Sequence, residues 1–169
     1  MLETHVLFDV TPEQIEVIVH PQSIIHSMVG FADGAIMAHL GPPDMRAPIG
    51  FALNWPKRVD LPLERLDFGM LGALSFAHPD RERFPALRLA EETMARGGAA
   101  GAAFNAAKEA ALDMFLARDI GFLDMARVVR CVLQDTDAGA GDDVTLAAVI
   151  ATDAEARVKA AEAARKGFV

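Results

Sequence analysis

The stretch His20-Pro21-Gln22-Ser23-Ile24-Ile25-His26 sets two imidazoles six residues apart around a proline and a hydroxyl, and Gly41-Pro42-Pro43-Asp44-Met45 follows within about fifteen residues. Groups able to donate, accept and pack are thus concentrated at the ends of extended segments, where binding sites are commonly built. His26 opens an extended run just after the turn, and an imidazole there can hydrogen-bond a hydroxyl or carry a proton near neutral pH. The same placement also suits a histidine that ties the turn to a nearby carbonyl. Ser23 offers its hydroxyl either to a ligand or to its own backbone. Met45 is a flexible thioether that can pack on a flat ring or fill a gap in a core, and Asp44 reads more as a helix cap than as a catalytic carboxylate. His20 and His26 do not make a metal pair: no cysteine, aspartate or third histidine accompanies them, and Pro21 keeps the backbone between them irregular, so no metal ligand is assigned. His5, His39 and His78 stand without a constellation and receive no role.

The elements that must position these groups are legible from turn chemistry and periodicity. Thr11-Pro12-Glu13-Gln14 carries a cap, a first-turn proline and a glutamine three residues after the cap, which predicts a short helix start. The β-branched run over 15–19 predicts a strand, and two further extended runs over 27–31 and 35–40 are joined through Asp33-Gly34, a strong hairpin signal. The 20–26 segment then crosses the end of an antiparallel sheet. Asp44 is placed to cap a helix over 45–54 that Trp55-Pro56 closes, with Pro48 early enough to be tolerated.

Residues 57–83 carry prolines and apolar anchors such as Leu66, Phe68 and Phe76 and predict an ordered connector. Helical spacing follows over 85–96, 102–118, 121–135 and 153–166, stopped by Gly97 and Gly167 at the first and last. A Gly-Asp-rich loop over 135–143 and a short apolar stretch over 144–150, helix or strand, separate the last two. The fold class is α+β: an antiparallel sheet with short helices over 1–56, a connector over 57–83, and a small helical bundle over 84–169. The abundance of alanine in the last part favours close helix packing.

Composition narrows the function. With 169 residues, 52% hydrophobic content and a net charge of −8, the chain can bury a core but lacks the basic face that a nucleic-acid backbone or anionic membrane requires. No uncharged apolar run reaches the roughly 18 residues of a membrane span, and Met1-Leu2-Glu3-Thr4-His5 lacks the basic, then apolar start of a signal peptide, so a cytoplasmic protein is expected. The single Cys131 reads as a buried apolar helical position. Gly97, Gly98 and Gly101 lie between helical patterns rather than after a strand, and they do not form a dinucleotide fingerprint.

The His20–Val29 and Leu40–Ile49 segments, continued through Phe51-Ala52-Leu53-Asn54-Trp55-Pro56, Leu66-Asp67-Phe68 and Phe104-Asn105-Ala106-Ala107-Lys108-Glu109, resemble the 1-deoxy-D-xylulose 5-phosphate reductoisomerase family over nearly the whole chain. The likeness is to the C-terminal part of the family's sequence, part of the catalytic domain plus the helical domain. It implies an NADPH-dependent oxidoreductase and isomerase of the non-mevalonate route to isoprenoid precursors, which uses manganese or magnesium and converts the sugar phosphate to 2-C-methyl-D-erythritol 4-phosphate. It implies His26 and Ser23 as active-site residues beside the substrate, Met45 and Pro43 against the nicotinamide, and a homodimer.

The family's three carboxylate ligands and its nucleotide-binding domain fall upstream of the matched region, so these 169 residues alone are expected to bind neither metal nor NADPH and not to catalyse the reaction. Glu3 corresponds to a glutamate just after the third ligand, and no ligation is carried over to it. Lys108 departs from the family's Asn-Ala-Ala-Asn-Glu run. The alternative reading is a non-enzymatic, dimerising remnant or interaction module.

Overall fold

The computed structural model describes residues 1–137 and 144–167. In chain order its elements are α1 (Leu2–Phe8), β1 (Ile25–Gly30), β2 (Ile36–Leu40), α2 (Arg46–Asn54), α3 (Phe68–Leu71), α4 (Ala86–Arg96), α5 (Ala100–Leu116), α6 (Phe122–Asp135) and α7 (Leu146–Lys166), with a single 3₁₀ turn at Pro12–Gln14. The architecture is α+β, as the alternation of patterns implies. Backbone proximity divides the chain into two compact units, Val17–Pro79 and a second made of Met1–Glu16 with the chain from Asp80 onward. These units cut across the boundaries expected at 56 and 83. The physical reason is long-range pairing: α1 and the 3₁₀ turn pack on α4, while Val19 and Ala77 form an antiparallel bridge that returns the connector to the start of its own unit.

In the Val17–Pro79 unit, the hairpin turn is built as its sequence dictates. Gly34 adopts φ +87, which a side chain would resist, and the Asp33 carboxylate accepts the Ala35 amide at 2.9 Å. β1 and β2 pair antiparallel from Gly30↔Ile36 to Ser27↔His39, and then the register shifts before Ile25↔Leu40. The strand expected over 15–19 does not form; among the described residues only Val19 pairs, at one bridge, so β-branched propensity there goes unrealised for want of a neighbouring strand. α2 packs its Gly50 so closely on Leu61 that a Cβ there would stand 2.7 Å from Leu61 Cδ1. Within the connector, α3 is a single turn whose Asp67 carboxylate accepts the Gly69 amide at 2.8 Å.

In the other unit, α5 is sandwiched by α6 and α7, and α4 joins through Leu89. The fully buried residues on the core face of α5 are alanines, Ala103, Ala106, Ala107 and Ala111, with Phe104 and Met114 packed partly buried beside them; Ala156 and Ala160 of α7 are fully buried too. Small side chains let the helix axes approach, and Val128 and Val132 of α6 supply the bulk. Helix ends follow local chemistry. Gly97 (φ +64) and Gly167 (φ +72) terminate α4 and α7, and Arg96 and Lys159 donate to the Leu133 and Asp135 carbonyls at the C-terminus of α6, where cations are favourable.

Three readings are corrected here. α7 starts at Leu146 rather than at 153, because Thr145 caps it by accepting the Ala148 amide at 3.1 Å, which makes residues 146–150 of the ambiguous 144–150 stretch helical. α1 was not expected at all, being only seven residues long with Val6, Leu7 and Phe8 exposed and no buried position to create a period. Cys131 is half-buried rather than buried. The Gly-Asp-rich loop expected over 135–143 lies from 138 onward outside the described residues.

Candidate functional site

The register shift between Ile25 and Ser27 leaves His26 as the extra residue of a bulge on β1. A bulge turns a side chain away from the regular in-out alternation of a strand. Here the exposed His26 ring lies with its centroid 5.7 Å from that of His39 on β2, and a side chain at Gly41 would stand 3.9 Å from His26 Nε2. The absence of a side chain at 41 therefore leaves the imidazole edge uncovered on that side.

The same end of the hairpin gathers the second motif. The Gly41 amide donates to the Ile24 carbonyl at 3.0 Å, continuing the ladder one step past Leu40, so the Gly-Pro-Pro loop begins directly beside the turn that carries Ser23. Ile24 is buried beneath this junction, while Ser23, Pro43 and Met45 are exposed. Thus Ser23 and His26 on one strand approach, and Pro43 and Met45 on the loop leaving the other, are delivered by the hairpin to one end. Met45 immediately precedes α2 and is 69% exposed, so it is available to a ligand surface rather than committed to the core.

Asp44 is engaged locally. Its carboxylate accepts the Arg46 amide at 2.9 Å and forms a two-pronged ion pair with the Arg46 guanidinium, the shortest contact being 2.6 Å. The guanidinium first, and the backbone amide second, hold the Asp44 carboxyl below the usual carboxylate range. The capping role expected of Asp44 is not realised: Met45 is the N-cap of α2 and no side chain caps it, while Asp44 makes a local contact with Arg46 instead.

His20 is held apart from His26. Its Nδ1 donates to the Ser75 carbonyl at 2.9 Å, its ring stacks on Phe76 with centroids 4.8 Å apart, and its Nε2 is buried. The two histidines of the motif therefore do not face a common point. Sequence reasoning missed His39 as the neighbour of His26. The signal was available: counting outward from the Asp33-Gly34 turn pairs position 27 with 39, which puts 39 next to any residue bulged at 26. Glu3 lies exposed on α1, and Lys108 points to solvent from α5, where a lysine in place of the expected asparagine disturbs no packing.

Among the described residues no three His, Cys, Asp or Glu side chains come together in an arrangement that could hold a metal ion, so the residues present do not amount to a metal site. Pro43 and Met45 are both exposed.

Comparison with known proteins gives a consistent picture. Residues 40–159 match the family model described as the DXP reductoisomerase C-terminal domain. The chain is 56% identical over 172 residues to 1-deoxy-D-xylulose 5-phosphate reductoisomerase of Ruegeria pomeroyi, a match that takes in 99% of this chain and 44% of that protein. It is 57% identical over 167 residues to the protein of the same name in Cereibacter sphaeroides, covering 97% and 42%. Among solved structures, the Zymomonas mobilis reductoisomerase in complex with NADPH superposes with a TM-score of 0.86 at 49% identity, over 96% of this chain and 42% of that one. A DOX-P reductoisomerase in complex with NADPH, fosmidomycin and magnesium does so with a TM-score of 0.87 at 36% identity, over 96% and 42%. The chain spans less than half the length of these relatives. On the matched residues and this level of identity, the chain belongs to the DXP reductoisomerase C-terminal domain family.

Proposed function

We propose that these residues form one wall of the active site of an NADPH-dependent, divalent-metal-dependent reductoisomerase, which converts 1-deoxy-D-xylulose 5-phosphate to 2-C-methyl-D-erythritol 4-phosphate in the cytoplasm. The observation that carries this reading is the hairpin end itself: a bulge aims His26 outward, and the Gly41–Ile24 hydrogen bond sets the Pro43–Met45 loop beside the Ser23 turn. Two polar groups for a sugar phosphate and an apolar edge for a flat ring then share one place. The relatives' complexes with NADPH and with fosmidomycin and magnesium support the assignment of cofactor and substrate class.

In this reading the His26 imidazole and the Ser23 hydroxyl hold substrate oxygens in register, and Pro43 and Met45 pack on the nicotinamide face and exclude water from it. NADPH, when bound, supplies the hydride. Among the described residues no group of three His, Cys, Asp or Glu side chains could hold a metal ion, so no step is assigned to a metal held by this chain alone.

The test joins the 169 residues to the upstream portion of the Ruegeria pomeroyi relative and follows NADPH oxidation with the deoxyxylulose phosphate and magnesium or manganese. Turnover that drops on replacing Ser23 by alanine supports the reading. Absence of turnover from a folded joined protein overturns it and favours a dimerising module without catalysis.

The same unit carries an unpartnered apolar hairpin. Met28, Val29, Phe31, Ile36 and Met37 are all exposed, and among the described residues the sheet has two strands, so each has an unpaired outer edge. We infer a homodimer assembled through this hairpin, since exposed apolar strands with free edges favour pairing with a second copy.

A further inference from the structure

Ser23 has φ +51, in the left-handed region that only glycine adopts freely. Such a conformation in another residue persists where its surroundings over-determine it. The turn's own bonding is thin: the Ser23 amide donates to the His20 carbonyl at 3.1 Å, and Pro21 fixes one φ. The remaining constraints come from more than fifty residues away. The His20 ring is fixed in orientation by its Nδ1 bond to the Ser75 carbonyl and its stack on Phe76. Since a carbonyl only accepts, Nδ1 carries the proton, and the buried Nε2 is left as a bare acceptor with no partner among the described residues. Gln22, on the other side of Pro21, grips the same segment: its Nε2 donates to Ser75 Oγ at 3.1 Å and to the Ala73 carbonyl at 3.5 Å, and its Oε1 accepts the Ser75 amide at 3.3 Å. Just ahead, Val19 and Ala77 exchange backbone hydrogen bonds at 2.8 and 3.0 Å.

We propose that residues 73–77 act as a latch that holds the turn over 20–23 in its left-handed geometry, with His20 and Gln22 as positioning residues that aim the Ser23 hydroxyl. The role rests on the reading of Ser23 as an active-site residue given above. It accounts for a histidine that is otherwise withheld from the site: the unpartnered Nε2 of His20 is buried, and its ring is tied on both an edge and a face. It also gives segment 73–77 of the connector a task within its own unit, because it contacts the turn that bears Ser23.

The experiment has two arms. In the 169-residue chain, hydrogen exchange at the Ser23 amide is compared for the wild type, H20A, H20N and S75A. The latch requires faster exchange in H20A and in S75A, which removes only the hydroxyl that Gln22 grips, and partial recovery in H20N, whose amide restores a donor toward the Ser75 carbonyl. In the protein joined to the upstream portion of the Ruegeria pomeroyi relative, kcat should fall by roughly 10- to 100-fold in H20A, with the KM for NADPH unchanged and the loss partly rescued in H20N, as expected for misplacement of a reacting group's holder. Unchanged Ser23 exchange in both H20A and S75A overturns the latch, as does a kcat loss that only mirrors a reduced folded fraction. If the unmodified joined protein has no turnover, the reading of Ser23 falls, while the exchange arm still decides whether the latch exists.

Discussion

His26 and His39 face each other across the β1–β2 hairpin with ring centroids 5.7 Å apart, because a one-residue bulge at 26 removes His26 from the regular register. Replacing His26 by glutamine in the protein joined to its upstream portion should lower kcat by at least about tenfold, the scale on which misplaced orienting groups act. Replacing His39 by glutamine should cost less, since His39 sits in the regular register of β2 opposite Ser27, without the bulge that turns a side chain outward. Steady-state kinetics decide; a His26 variant with unaltered kcat and KM would remove it from the site.

The 169 residues by themselves should show no NADPH oxidation with the deoxyxylulose phosphate and magnesium or manganese. No cluster of three carboxylates or histidines among the described residues could hold a metal ion to offset the charge that develops on the substrate. Turnover that survives purification away from host reductoisomerase would refute this.

Self-association through the hairpin should be sensitive to one charge on its apolar face. Met37 is 66% exposed on β2, and M37K should shift the chain toward monomer in light scattering at micromolar concentration while leaving helical content unchanged. A wild-type chain that remains monomeric over that range would count against the dimer.

Close packing of α5 on α7 depends on alanine. Ala107 is fully buried, and A107L should destabilise the helical unit by about 1–3 kcal/mol through overpacking, read as a lower denaturant midpoint. An unchanged midpoint would mean that the helices separate easily.

Arg157 on α7 bridges Glu109 of α5 at 2.6 Å and Asp153 at 2.8 Å, and Asn105 donates to Glu109 at 3.0 Å. The guanidinium holds both carboxyls below their ordinary values, with Asn105 adding a second contribution at Glu109, and the two carboxylates raise Arg157 in turn. Carboxyls depressed in the folded state contribute stability that is present above their unfolded values and is lost as pH falls through the folded ones. R157Q should therefore lower Tm at about pH 7 by no more than about 3 °C, because exposed pairs are screened, and the difference should shrink toward zero near pH 3. A difference that is constant across that range would show that Arg157 acts by packing instead.

The sequence alone determined those features whose physics is local. Asp33-Gly34 set the hairpin because the turn needs a glycine at positive φ; Gly97 and Gly167 ended helices for the same reason; and alanine-rich periodicity announced a close-packed bundle. The residues offered for the site, Ser23, His26, Pro43 and Met45, were named from their types and from resemblance, and the hairpin delivers them to one end. Tertiary structure alone decided what depends on partners distant in the chain. The β-branched run at 15–19 stayed unpaired except at Val19, α1 joined the helical unit across a long sequence gap, and the bulge that turns His26 outward arose from how β1 meets β2. The left-handed Ser23 is the clearest case. Its own side chain disfavours that geometry, and its turn is gripped by groups at 73–77, more than fifty residues away, so no window along the sequence contains the forces that hold it.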